Sequence, residues 1–282
     1  MNGEQFTVDP LVFSDTGQWR LILEISASGM AAVLKNTEDE KQPPVVLLNK
    51  NWDEGRGSLL MDIETAVYDN PRLLDDFATR IILTTPQALW VPSELVIDDE
   101  IDEKYFTTVY PAKSEDINAD YSQNEICLYT LTQGLNSFLQ RTLPGCRVSS
   151  HLSILKSEFE KLEALKANSS SDNSPLGRIY LNIRPSEFDI YIYGGGRFLI
   201  GATHQLENLS EIAYKALLSA EVAGLRPADC EVVITGHHSD RDDLQELLLK
   251  FFSSISYPES PELTRKYGLS LALALAAGQE LS

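Results

Sequence analysis

Past a small, polar, proline-broken stretch at residues 167–177 (ANSSSDNSPLG), the hydrophobic pattern of this chain starts over. Such a stretch has the composition of a linker. Before it, residues 20–26 (RLILEIS) make a short, branched, apolar run, and residues 30–34 continue it after a turn at Ser28-Gly29. That pattern predicts two strands joined as a hairpin. Residues 44–48 (PVVLL) add a third strand. Ser58 then stands as a hydroxyl cap before Leu59, Leu60, Ile63, Ala66 and Val67, which are apolar at helical spacing. Residues 80–84 return to strand, and residues 126–130 make another. Between them the acid-rich stretch 98–120 has little period and reads as a mostly exposed connection. Two amphipathic helices follow, one carrying Leu131, Leu135, Phe138 and Leu139, the other Leu152, Leu155, Phe159 and Leu162. Pro144-Gly145 breaks the chain between them, with a short strand at residues 147–149.

After the linker, residues 178–184 (RIYLNIR) predict a strand, and residues 188–193 (FDIYIY) alternate with period two. Gly194-Gly195-Gly196 turns into residues 197–203 (RFLIGAT). A helix bearing Ile212, Ala213, Ala216, Leu217 and Ala220 is stopped by Gly224 and Pro227. Residues 231–235 (EVVIT) form a strand, and Asp240 opens a helix with Leu244, Leu247, Leu248 and Phe251. A last apolar helix covers residues 263–277, with Gly278 behind it.

Both halves therefore run strand, strand, strand, helix, strand, helix. Placing Arg20 on Arg178 also pairs Leu23 with Leu181, Ile25 with Ile183 and Ser28 with Ser186. Together with the repeated order of elements, these matches favour an internal duplication. The expected organisation is an N-terminal lobe at 1–166, a linker at 167–177 and a C-terminal lobe at 178–282.

Composition narrows the functional classes. Lys and Arg number 23 against 42 Asp and Glu, a formal net charge of -19, which repels phosphate backbones and anionic headgroups. Neither nucleic acid nor a membrane surface is an expected partner. The three cysteines, Cys127, Cys146 and Cys230, form no CxxC pair, so each reads as a small buried hydrophobe rather than a disulfide or thiolate ligand. Residues 1–10 carry two acids and no base, unlike a secretory signal. The apolar stretch 269–277 is far short of the ~20 residues a bilayer span requires. The expected location is the cytoplasm.

Two βββαβα lobes with mixed sheets and a final helix packing back are the plan of the actin-like (ribonuclease H-like) ATPase superfamily, which includes actin, heat-shock ATPases and sugar kinases. The chain resembles that superfamily over roughly residues 15–278. More narrowly it resembles an uncharacterised bacterial family with this fold and, more distantly, the actin-like proteins of pilus assembly and secretion. The resemblance rests on element order, on Val232-Val233-Ile234-Thr235-Gly236, and on the closing run from Tyr267-Gly268-Leu269 through Ser270-Leu271-Ala272-Leu273-Ala274.

The resemblance implies a nucleotide site, and this sequence departs from it there. Active members close each first hairpin with an aspartate–hydrophobic–glycine turn, whose acid holds the hydrated metal and whose glycine lets backbone N–H groups approach phosphate. Here the first lobe has Glu24-Ile25-Ser26 and the second Asn182-Ile183-Arg184. The adenosine motif calls for paired glycines after a strand, and Gly236-His237 supplies one. Glu24, Ser26, Asn182, Arg184, Gly236 and His237 thus mark a vestigial nucleotide site, with no cofactor expected.

Other candidates each have a plainer reading. His237, His238 and Asp240 could furnish metal ligands, or Asp240 could cap the following helix while Asp243 complements its dipole. The Gly194-Gly195-Gly196 run joins two strands and reads as a hairpin turn rather than a phosphate loop. Arg184 could hold an anion or pair with a neighbouring acid. Cys146 beside Arg147 could have a lowered thiol pKa, yet no base is identifiable. The expected function is a non-catalytic scaffold or protein-binding module whose protein partner presents a basic surface; self-association as a homodimer stays open. The alternatives are a divergent nucleotide-dependent kinase or ATPase and, behind it, a metal-dependent hydrolase.

Overall fold

The computed structural model describes residues 16–52, 57–96, 99–168, 175–236 and 241–281. The chain divides into two compact units, residues 1–153 with 276–278, and residues 154–275 with 279–282. The division falls inside the helix His151–Asn168, after Ser153. Of the expected linker, residues 169–174 lie outside the described residues.

The first unit opens with β1 (Trp19–Ser26), β2 (Gly29–Asn36) and β3 (Val45–Asn51). Helix α1 (Leu59–Asp69) leads into β4 (Ala78–Thr84). Ser58 caps α1 as expected, its side chain accepting the Met61 N–H at 3.3 Å. An insertion follows: β5 (Ala88–Pro92), α2 (Asp99–Val109), β6 (Asn118–Tyr121) and β7 (Glu125–Tyr129). Then come α3 (Leu135–Thr142), β8 (Arg147–Ser150) and α4 (His151–Asn168), whose residues after Ser153 belong to the second unit. The main sheet has the order β3-β2-β1-β4-β8. Its β1–β2 and β2–β3 pairs are antiparallel, while β1–β4 and β4–β8 are parallel. Central β1 is buried along nearly its whole length, and Leu21, Ile22, Leu23 and Ile25 are 0% exposed. A strand covered on both faces reads as a continuous apolar run, which is why RLILEIS shows no alternation.

The second unit repeats this plan: β9 (Gly177–Ile183), β10 (Glu187–Gly194), β11 (Arg197–Gln205), α5 (Leu209–Val222), β12 (Cys230–Gly236), α6 (Arg241–Leu248) and β13 (Ser254–Ser256). Its sheet has the order β11-β10-β9-β12-β13 with the same sequence of antiparallel and parallel pairs. Asn208 caps α5, accepting the Glu211 N–H at 3.1 Å. Gly195 and Gly196 both have positive φ, +57° and +74°, the requirement of a tight hairpin turn, so the glycine run is a turn as expected. The core joins Ile179, Leu181 and Ile183 of β9 to Ile212 and Ala216 of α5 and to Leu244 and Leu248 of α6.

Two sequence expectations fail, and two strands went unread. The stretch 98–120 is no exposed connection: it holds α2, a 3-10 turn at Ser114–Asp116 and β6. Phe106 of α2 is 0% exposed and packs with Val91, Ile126 and Leu128 in a core of its own. The last helix is two, α7 (Glu262–Tyr267) and α8 (Leu271–Ala276), because Gly268 turns left-handed at φ +65°. The edge strands β5 and β13 carried too few branched residues to be read.

Candidate functional site

The two first hairpins are closed in the same register. In the first unit Ile25 faces Met30 and Glu24 faces Ala31, and on its other side Glu24 faces Ile82 of β4. In the second, Ile183 faces Phe188 and Asn182 faces Asp189, with Thr235 of β12 beside it. Glu24 and Asn182 therefore hold equivalent positions on the central strands of their sheets, and Ser26 and Arg184 begin the turns.

At the first turn the Ser26 hydroxyl folds onto its own backbone. Its Oγ accepts the N–H groups of Ser28 at 3.2 Å and Gly29 at 3.0 Å, and donates to the Gly29 carbonyl at 3.0 Å. The Trp52 indole N–H donates to the Ser26 carbonyl at 3.1 Å. Glu24, 7% exposed, accepts the Thr84 hydroxyl at 2.7 Å. The Ser28 and Gly29 N–H donors of this turn thus already have an acceptor within the chain.

The second turn is filled differently. Asp189, fully buried, accepts from Asn182 Nδ2 at 2.8 Å, Arg184 Nη2 at 2.8 Å and the Thr203 hydroxyl at 2.7 Å. Arg184 Nη2 also lies 3.2 Å from Glu187 Oε2, and the Arg184 N–H donates to the Glu187 carbonyl at 2.9 Å. The Thr235 hydroxyl is shared between the Leu181 carbonyl at 3.3 Å and Asn182 Oδ1 at 3.4 Å. Arg184 Nε and Nη1 are buried with no hydrogen-bond partner among the described residues. One guanidinium thus stands against two carboxylates, a local balance that opposes an anion.

Gly236 ends β12 at φ +84°, where a β-carbon would run into the Ile183 carbonyl oxygen and stand 2.9 Å from the Ile183 nitrogen. Glycine is required there by backbone approach alone. His237, His238, Ser239 and Asp240 lie outside the described residues, and with them the proposed ligand set and helix cap. Among the described residues no cluster of three His, Cys, Asp or Glu side chains could hold a metal. The lowered thiol pKa that Arg147 could have given Cys146 is not found; burial pushes that thiol up. Cys127 and Cys230 are buried, while Cys146 is only half-buried.

A second buried ionic network belongs to the scaffold of the second unit. Arg178 donates from Nη1 to Glu163 at 2.5 Å and from Nε to Glu231 at 2.7 Å. Lys166 at 3.1 Å and the Ser256 hydroxyl at 2.8 Å also donate to Glu231, and the Tyr180 hydroxyl donates to Glu163 at 2.7 Å. Burial works to raise the Glu231 pKa, but hydrogen bonds from Arg178, Ser256 and Lys166 prevail and hold it below the ordinary carboxylate value. Burial likewise works to lower that of Arg178, and the bonds to Glu163 and Glu231 override it.

The structure brings Asn182 and Arg184 into one cluster and adds members that sequence reasoning missed: Asp189 and Thr203, with Thr84 beside Glu24. A signal for Asp189 existed. A hairpin centred on Pro185-Ser186 places residue 189 opposite residue 182, so a buried aspartate there has to meet Asn182.

No curated protein is significantly similar to the chain in sequence. Among solved structures, a protein of Bacteroides thetaiotaomicron with an actin-like ATPase fold and unknown function superposes with a TM-score of 0.75 at 19% identity, covering 89% of this chain and 93% of that one. The PilM–PilN type IV pilus biogenesis complex matches with a TM-score of 0.50 at 14% identity, over 93% and 99% of the two chains. The cytoplasmic domain of EpsL from the type II secretion system of Vibrio cholerae matches with a TM-score of 0.42 at 10% identity, over 92% and 94%. The fold is that of the actin-like ATPases. No helix among the described residues is long and apolar enough to cross a membrane. The family model for a protein of unknown function, DUF3822, matches residues 10–255, and the chain belongs to that family.

Proposed function

We propose that this chain is a non-catalytic actin-like scaffold, a protein-binding module that keeps the fold without nucleotide turnover. The observation that carries this reading is the use made of the first hairpin turn: Ser26 Oγ consumes the Ser28 and Gly29 N–H groups. A phosphate-binding turn needs such donors free and close, which is the office of the glycine missing here. The Asn182–Asp189–Arg184 cluster supports the same reading, since its groups are mostly spent on one another. PilM, a protein of the same fold, is part of a complex with PilN. By analogy this chain has a protein partner. With a formal net charge of -19 that partner presents a basic surface, and its affinity falls with added salt. The reading also includes a cytoplasmic location, an origin of the two lobes by duplication, and lobe limits at 1–166 and 178–282.

A divergent kinase or ATPase using Glu24, Asn182 and Gly236 is the competing reading. One observation favours it: Arg184 Nε and Nη1 find no acceptor among the described residues. Titration calorimetry with Mg-ATP and Mg-ADP separates the two. The scaffold reading expects no binding at about 1 mM, a free energy of only roughly -4 kcal/mol. Saturable micromolar binding that disappears in Glu24→Ala puts the enzyme first. A metal-dependent hydrolase built on His237, His238 and Asp240 requires an equimolar ion retained after desalting and lost in His237→Ala.

A further inference from the structure

The main sheet of the first unit carries a band of cations at the end opposite its first hairpin turn. Arg20 stands near the start of β1, with Lys35 of β2 facing it on one side and Ala78 of β4 on the other. Two residues further along β4, and so on the same face of the pleat, Arg80 is in register with Arg147 of β8. Adjacent strands lie about 4.8 Å apart, which puts the three guanidinium groups within reach of one small guest. Arg20 and Arg147 are exposed, and Arg80 is half-buried. Burial lowers the Arg80 pKa; Asp120 works against that, while the neighbouring charges of Arg20 and Arg147 lower it further.

None of these three arginines has an ion-pair or side-chain hydrogen-bond partner among the described residues. Asp120, the acid that acts on Arg80, is engaged elsewhere: its oxygens accept the Ser150 N–H at 2.7 Å and the Tyr129 hydroxyl at 3.2 Å. The Lys35 ammonium donates to the Glu40 carbonyl at 2.7 Å, so it adds charge without meeting a carboxylate. Like charges on neighbouring strands destabilise a sheet, and a chain with 42 acids has ample means to pair them. The second unit does so. Its registers put Tyr193, Arg178, Val233 and Ser256 where the first has Lys35, Arg20, Arg80 and Arg147. There the arginine is closed by two carboxylates: Glu163, and Glu231, which faces it from the position that Ala78 holds beside Arg20. One scaffold position is thus neutralised in the second unit, and in the first it is left open with two more arginines beside it.

We propose that Arg20, Arg80 and Arg147 bind a phosphate dianion, either the free ion or a phosphate monoester. Guanidinium forks match the oxygens of phosphate, and three of them suit a doubly charged tetrahedral ion better than a single carboxylate. The formal net charge of -19 does not forbid this, because at physiological salt exposed charges are screened beyond about 8 Å and the adjacent cations decide. The site lies at the other end of β1 from Ser26 and uses none of the hairpin-turn residues, so it stands or falls independently of the nucleotide question.

The probe is inorganic phosphate titrated at constant ionic strength, with acetate as the carboxylate control and N-acetyl-phosphoserine methylamide as the monoester. The readout is the set of arginine side-chain Nε–H resonances, assigned by single substitution. Saturable displacement of the Arg20, Arg80 and Arg147 resonances by phosphate, with acetate far weaker, is the expected result. Comparable or tighter binding of the blocked phosphoserine assigns the site to a monoester; binding of inorganic phosphate alone assigns it to the free ion. Arg20→Gln and Arg147→Gln, both at exposed positions, each weaken phosphate binding about tenfold or more. Ala78→Glu places beside Arg20 the carboxylate that the second unit has, and it weakens binding likewise while leaving all three arginines in place. Phosphate that moves none of the three resonances overturns the proposal. So does acetate binding as tightly as phosphate, or undiminished phosphate binding in Ala78→Glu.

Discussion

Asp189→Asn tests whether the cluster at the second hairpin is structural. The substitution keeps the shape of the side chain and removes its charge. Three donors converge on Asp189, from Asn182, Arg184 and Thr203, at 2.7 to 2.8 Å. An amide supplies a single oxygen acceptor, and its NH2 group faces donors. The Arg184 guanidinium is left largely buried, with Glu187 Oε2 at 3.2 Å as its remaining ionic contact. Breaking one partner out of a buried ion pair costs about 3–5 kcal/mol. Against the roughly 5–15 kcal/mol that holds a domain folded, this is a large fraction. At about 2–4 °C per kcal/mol, the unfolding midpoint falls by roughly 6–20 °C. Calorimetry or far-UV circular dichroism reads it directly. The reasoning also requires coupling: Asp189→Asn with Arg184→Met recovers part of the loss, because the orphaned cation leaves with its partner. A loss under about 1 kcal/mol in Asp189→Asn, or simple addition of the two single costs, refutes the account. In that event the cluster is better read as a site kept for a ligand than as part of the scaffold.

The network at Glu231 makes a pH prediction. Its pKa is held below the ordinary carboxylate value in the folded state, so its stabilisation is present above that value and is lost as pH falls through the lower folded one. Glu231→Gln lowers stability at neutral pH and flattens the decline on acidification, measured by urea unfolding from pH 7 to pH 3; an unchanged acid profile counts against the network. Gly236→Ala costs about 1–2 kcal/mol from the left-handed backbone alone, and more from displacement of the Ile183 carbonyl. If that glycine served nucleotide approach only, thermal unfolding of Gly236→Ala would match the parent.

The parts of the fold that were legible are those whose local pattern and tertiary environment agree. β1 and β9 are sheet centres, buried on both faces, and read as unbroken apolar runs. α1 and α5 carry Ser58 and Asn208 at their starts, and both side chains make the capping bond. The equivalence of Glu24 and Asn182 followed from sequence matches at their flanks, and the registers place them alike. What sequence reading did not supply was the occupancy of the turns. That Ser26 would bend onto Gly29 rather than leave its N–H groups free is a matter of side-chain rotamer, which no pattern of residue types encodes. The plain reading of Arg184, paired with neighbouring acids, is the one the hydrogen bonds bear out.

The insertion was illegible for a different reason. Between residues 98 and 120 acids are frequent enough to set the average, and the average describes a solvated connection. Burial, however, is decided by individual residues. Phe106, Ile117 and Ala119 meet Val91, Ile126 and Leu128 only after β5, β6 and β7 have paired, a contact set that no local window contains. Once that small sheet exists, Asp116 is carried inward with it, and an acid that counted toward solubility in the sequence becomes a buried polar group. A buried polar group must find a partner or raise the free energy of the fold. Gly134 answers one of its oxygens, and the other has no hydrogen-bond partner among the described residues.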